Sequence, residues 1–343
     1  MLTTTIGAFP KPSDVAITDW FSISNGEYTH AYLKELAAID DSVLDAAVRA
    51  VVCDQTEAGI DIPTDGEVRR ENYIHYQCRQ LTGIDFTKLS YKRIRGTTDT
   101  SVPTIRGEIG IGESLLPRDF RVAQAATPSP VKITIPGPMT IIDSVVDDHY
   151  RDDVVLGADL AAVINNHIRA LADAGCTNIQ VDEPVMARKP EIALHHGIDH
   201  LARCFDGVGD AVTRIAHACC GYPNSLDEVG YPKADRGAYL ELADALNEAP
   251  IDQISIEDAH AHNDLDVLLP RFGSTTIILG VVGIACSRIE TVDEIEQRLR
   301  QAADIHGADR LIAAPDCGLG YLSREQALHK LRNLSTAAHR ITE

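Results

Sequence analysis

The stretch "LGADLAAVINNHIRALADAGCTNIQVDEP", residues 156–184, decides the fold. Leu156, Leu160, Val163, Ile164, Ile168 and Leu171 recur at steps of three and four, which puts them on one face of a helix over 156–175. Gly175 is the stop signal. The run that follows, "TNIQVDEP" (177–184), reads as a short strand that ends in two acids and a proline. A helix that feeds a short apolar strand is the repeating unit of an α/β protein with a parallel sheet.

The unit recurs along the chain. Strands are expected at 2–10, 59–67, 131–138, 177–184, 213–220, 252–258, 275–283 and 310–318. Helical patterns cover 41–59, 156–175, 239–249, 291–307 and 323–341. The strands are near-continuous apolar runs, as parallel strands buried on both faces must be. Eight strand-then-helix units predict a (β/α)8 TIM barrel, not an open sheet. Two segments break the rhythm. Residues 10–40 form a long connection after the first strand. Residues 70–130 hold "TGIDFTKLSYKRIRGTTDTSVPTIRGEIG" and are expected to form an inserted β-hairpin subdomain after the second strand. With no repeat and no linker, residues 1–343 are expected to be a single barrel domain.

Composition narrows the function classes. At 44% hydrophobic and 24% charged, the 343 residues describe an ordinary globular protein. A net charge of -20 argues against a nucleic-acid surface. The longest apolar run, at 276–286, is too short to span a bilayer, and the N-terminus lacks the pattern of a signal peptide. A cytoplasmic location is expected, with the eight cysteines reduced and free to act as ligands or core residues.

In a barrel of this kind the active site lies at the C-terminal ends of the strands. Those ends carry Asp65 and Glu67, Asp182 and Glu183, Glu257 and Asp258, and Asp316 and Cys317. A single acid at such a place is more often a helix cap. The fifth strand ends in "IAHACCGYP" (215–223), where His217 and Cys219 are two residues apart and project to one side. With Glu257 and Cys317 they offer two thiols, an imidazole and a carboxylate at one rim, a set chemically suited to tetrahedral zinc. The spacing fits a core histidine beside inert buried cysteines equally well.

Taken together, "TTIGAFP", "TDGEVRRENYI", "IPGPMTI", "IQVDEPVM", "HACC", "ISIED" and "PDCGLG" resemble the catalytic barrel of cobalamin-independent methionine synthase, in the family's order and over nearly the whole chain. The chain looks like a short, single-barrel member. The resemblance implies a zinc-dependent methyltransferase acting on the thiol of homocysteine, with His217, Cys219, Glu257 and Cys317 on the metal. It also implies an amino-acid clamp at Ile6, Gly7, Ala8, Glu67 and Asp182, with Asp182 among the catalytic residues.

The departures concern the methyl donor. Ser144 stands where the family has an aromatic residue against the folate pterin, and Arg188 where it has an acid. Residues 94–105 show no counterpart of an Arg-Cys contact, and Ala285, beside Cys286, takes the place of a histidine proton donor. Ala8 replaces a serine of the clamp. The expected donor is therefore methylcobalamin or a methylcorrinoid protein in preference to methyltetrahydrofolate. His260 and His262 are candidates for an acid near the rim, though helix-start positions explain them as well. An alternative is another zinc-dependent thiol alkyltransferase, such as an epoxyalkane:coenzyme M transferase. A non-catalytic or decarboxylase-like barrel is disfavoured by retention of the four ligands.

Overall fold

The protein is described by a computed structural model that covers residues 1–22, 26–94, 98–235, 237–284 and 286–342. Its strands are β1 (Leu2–Thr3), β2 (Leu81–Ile94), β3 (Thr98–Ile111), β4 (Lys132–Pro136), β5 (Val146–Asp147), β6 (Asn178–Asp182), β7 (Thr213–Ala218), β8 (Gln253–Glu257), β9 (Thr276–Val282) and β10 (Leu311–Pro315). Seven of them form one curled sheet in the order β1-β10-β9-β8-β7-β6-β4, with every pairing parallel. Its two edges, β1 and β4, are joined through residues 62–64 by the parallel bridges Thr4↔Ile62 and Thr64↔Lys132. This is the expected (β/α)8 barrel.

The second barrel strand is shorter than the 59–67 expected, and Pro63 is one reason. Proline has no N–H to give to a ladder. Side chains replace the missing pairing: Gln55, on the helix Asp41–Glu57, accepts from Thr64 N (3.0 Å) and donates to Thr64 O (3.0 Å).

The helix of the opening stretch runs Asp153–Asp173, where Asp152 accepts from the N–H of Val154 and Val155 as its cap. Gly175 follows at φ 97, the left-handed conformation a β-carbon would resist. Leu156, Leu160, Ile164, Ile168 and Leu171 are fully buried against the barrel; each such side chain contributes about 1.5–3 kcal/mol. By length and composition alone this helix is apolar enough to cross a membrane. Its apolar face is here covered by the helices Ile198–Cys204, Pro138–Ser144 and Leu116–Gln124 and by β3 of the hairpin.

Within 70–130, β2 and β3 form a long antiparallel hairpin with register from Leu81↔Ile111 to Ile94↔Thr98. β5 adds a third, parallel strand to it. The hairpin leaves the barrel after the short second strand, where the sequence placed an insertion.

Inside the barrel the lining is divided. Ile6, Ile215, Ile278, Ile312 and Ala314 form a small apolar cluster. On β4, Ile133 and Ile135 belong to the outer core, so Lys132 and Thr134 face inward. Lys132, Thr134 and Gln180 are fully buried polar residues, and Gln180 is in register with Ile215 of that cluster.

Candidate active site and metal centre

His217 is the penultimate residue of β7, in register with Ser255 on β8. That register explains its orientation: Nδ1 is 2.9 Å from Ser255 Oγ, and Nε2 is 3.4 Å from Cys317 Sγ. Cys219 follows β7 and Cys317 follows β10. One ligand atom from each of His217, Cys219 and Cys317 lies within 4.8 Å of the others, the only group of that kind among the described residues. The hydrogen bond with Cys317 holds the Cys219 thiol well below its usual range; burial opposes this, and His217 adds to it. Cys317 is correspondingly raised by sharing that bond. Two soft sulfurs and an imidazole, with the second ring nitrogen fastened by a hydroxyl, fit a thiophilic cation such as zinc. None of the eight cysteines is paired in a disulfide.

Glu257 is not among that group of three. Its Oε1 takes the Lys233 ammonium at 2.5 Å, and its Oε2 accepts from Cys220 N at 3.0 Å. The cause is a cation supplied by the loop after β7, which the strand-end pattern does not register. Cys220 faces the outer core, beside Tyr239, and burial pushes its thiol up to about 12.

The expected clamp residues converge on the same place. Asp182 Oδ1 accepts from Gln180 Nε2 at 2.7 Å, and that nitrogen also donates to Ile6 O at 2.8 Å. Burial pushes the Asp182 carboxyl up to about 7, against the pull of His217 and Gln180. Glu67 sits in a tight turn at φ 55, and its Oε1 accepts from Thr134 Oγ1 at 2.8 Å. Burial raises Glu67 too, with Arg70 opposing. Gly7 permits a close approach here, since a β-carbon on it would lie 3.0 Å from Glu67 Oε1. Ile6, Gly7, Ala8, Glu67, Asp182, His217, Cys219 and Cys317 all line one cavity of about 360 Å3.

Ser144 and Arg188 line that cavity as well, toward the hairpin residues Ile94 and Thr100. Arg188 is turned to Asp143, 3.2 Å away. Ala285 lies outside the described residues, as do 95–97 of the 94–105 stretch. His260 pairs with Tyr231 OH at 3.3 Å; neither His260 nor His262 lines the cavity.

The remaining acids at the strand ends are structural. Glu183 accepts from the N–H of Met139 and Thr140, which begin the helix Pro138–Ser144. Asp316 accepts from the N–H of Asp258, Ala259 and His260. Asp258 holds Arg298, and Asp65 holds Arg70.

Sequence reasoning missed an aromatic wall on the cavity, made by Trp20, Phe21, Tyr73, Tyr222 and Tyr321. Trp20 stacks on Tyr222 at 5.3 Å between centroids, and Tyr222 on Tyr321 at 5.6 Å. Trp20 and Phe21 come from the long 10–40 connection, whose length was the one available signal. Lys233 was missed too.

Residues 1–340 match the protein family described as cobalamin-independent synthase, catalytic domain. The chain belongs to that family. It is 30% identical over 333 residues to the methionine synthase of Sulfolobus acidocaldarius, covering 97% of this chain and 89% of that protein. The methionine synthase of Saccharolobus solfataricus is likewise 30% identical, over 96% of this chain and 91% of its own length. Among solved structures, a B12-independent methionine synthase from Shewanella sp. W3-18-1, in complex with selenomethionine, superposes with a TM-score of 0.86 at 30% identity, covering 99% and 97% of the two chains. A protein from Listeria monocytogenes described as a vitamin-B12 independent methionine synthase, 19% identical with a TM-score of 0.70, supports the fold alone. As a member of the cobalamin-independent methionine synthase family, the chain is a methyltransferase.

Proposed function

We propose that the protein methylates the thiol of homocysteine to give methionine, with residues 1–343 acting as one catalytic unit and zinc held by His217, Cys219 and Cys317. The observation that carries this reading is a single cavity lined both by a soft-donor group and by two buried carboxyls, Glu67 and Asp182. A free thiol ionises near about pH 8.5, and zinc at such a site would hold it as the nucleophilic thiolate at neutral pH. Glu67 and Asp182 would take the substrate ammonium, whose positive charge offsets the cost of their burial. Gln180 fixes Asp182 and the Ile6 carbonyl against each other, which sets the distance from clamp to thiol. The selenomethionine in the Shewanella relative is an amino acid of the product's class.

The acidic clamp disfavours coenzyme M as the thiol, because a sulfonate would meet two carboxyls and no cation among the clamp residues. For the donor we propose a methylcorrinoid. Ser144 offers the pterin no stacking surface, and Arg188 is committed to Asp143. The half-buried aromatic wall provides an apolar face of the kind a large corrin ring requires. Methyl transfer to homocysteine by the zinc-loaded protein, measured with methylcobalamin and with methyltetrahydrofolate, tests both statements. Turnover from methylcobalamin should exceed that from the folate. Efficient, saturable turnover with the folate alone would overturn the donor assignment, and methylation of coenzyme M in preference to homocysteine would overturn the acceptor.

A further inference from the structure

Gly320 lies in the loop after β10, and its backbone is outside the left-handed region that calls for glycine. An alanine would suit that backbone; what forbids it is the Phe21 ring. A β-carbon on Gly320 would lie 2.3 Å from Phe21 Cζ and 2.5 Å from both Cε atoms, far inside contact distance. Phe21 cannot yield without leaving its neighbours. Its ring meets Tyr321 edge-on at 5.2 Å between centroids and Trp20 at 4.7 Å, and its N–H is held by Asp19 Oδ1 at 3.1 Å. Trp20 N donates in turn to Glu71 O at 2.9 Å. Residues 10–22 hold no helix or strand, so this connection delivers two aromatic rings to the cavity by lodging one of them on a glycine.

We propose that Gly320 is a positioning residue that seats Phe21 and so fixes Trp20, in the stack Trp20–Tyr222–Tyr321, as the contact surface for the methyl donor. The proposal rests on the corrinoid reading of that donor. The stack and the soft-donor group line one cavity, so a ring packed on the stack presents its methyl group to the thiolate. Displacing Phe21 tilts Trp20 off Tyr222, now 5.3 Å away between centroids, and misplaces the donor. The acceptor's clamp at Glu67 and Asp182 is left as it was. A small alkylating agent needs no such platform. A glycine needed only for the shape of the Cys317 loop would affect every donor alike, because each reacts with the same thiolate.

The test uses Gly320→Ala, Phe21→Leu, the two combined, and Trp20→Leu. Each zinc-loaded protein is given homocysteine with either methylcobalamin or methyl iodide, whose carbon–iodine bond the thiolate breaks without a docked ring. With methylcobalamin, kcat/KM should fall at least about tenfold in Gly320→Ala and in Trp20→Leu, the scale of a reactant misplaced by about 1 Å. In Gly320→Ala the methyl iodide rate and the calorimetric homocysteine affinity should stay within about threefold of the parent, since nothing that holds the acceptor has moved. Phe21→Leu removes the ring atoms the new methyl would meet, so adding Gly320→Ala to it should cost less than about threefold more. Trp20 is the only tryptophan in the chain, and its emission should shift in Gly320→Ala with zinc or without. Equal losses with both donors, a full penalty for Gly320→Ala in the Phe21→Leu background, or parent-like methylcobalamin turnover in Gly320→Ala or Trp20→Leu would overturn the proposal. A parent protein that uses methyl iodide but not methylcobalamin would overturn the donor reading and this inference together.

Discussion

Replacing Asp182 with asparagine should separate binding from stability. Asp182 is 6% exposed and accepts from Gln180 Nε2 at 2.7 Å. An asparagine of the same shape keeps an oxygen for that bond and loses only the negative charge. The charged hydrogen bond to the substrate ammonium is worth about 1.5–3 kcal/mol, or roughly 10- to 150-fold in affinity at about 1.4 kcal/mol per decade. The fold responds in the opposite sense. Burial raises the Asp182 carboxyl from 3.8 to about 7, so between those values the unfolded chain is ionised while the folded one favours the proton. Stability from this group is therefore present at low pH and is lost as pH rises through that window. The neutral amide escapes that loss, and the variant's Tm at pH 8 should equal or exceed the parent's. Calorimetric titration of the zinc-loaded variant with homocysteine, beside thermal melts at pH 5 and pH 8, reads both effects. Undiminished homocysteine affinity would refute the clamp role; weakened affinity with a lowered Tm at pH 8 would refute the assignment of the raised carboxyl.

Cys317→Ser should lose most of its zinc and its methyl transfer, whereas Cys220→Ser should keep its zinc at a modest cost in stability, because Cys220 faces the outer core; metal analysis of the two purified variants decides this. Gly7→Ala would bring a β-carbon to 3.0 Å from Glu67 Oε1, so the clamp must shift and KM for homocysteine should rise several-fold with a smaller change in kcat, read by steady-state kinetics. Homocysteine affinity should rise with pH through about 7, since Asp182 must be ionised to take the ammonium, and titrations in buffers of different ionisation enthalpy should show proton release on binding.

Much of the barrel was legible because most of its parallel strands are buried on both faces and are apolar nearly throughout, as at β9 and β10. The second strand was legible in place but not in extent. Its pairing at Thr64 is carried by Gln55, a partner supplied by a helix and invisible to any local pattern. The clamp and the three soft ligands were named from motifs, and the structure gathers them around one cavity. The acids at the strand ends were ambiguous for a physical reason. Glu183 and Asp316 sit in the same local context as Asp182, and only the backbone N–H groups folded over them make them structural.

Sequence by itself determined the architecture and the donor chemistry, because burial periodicity and residue type are local properties of the chain. Tertiary structure alone decided which charges meet. Lys233 and Glu257 are 24 residues apart, and Trp20, Tyr222 and Tyr321 come from three separate loops. Their pairing depends on where the barrel ends bring those loops, and electrostatic and stacking energies fall off within a few ångströms. A pattern along the chain carries no distance of that kind.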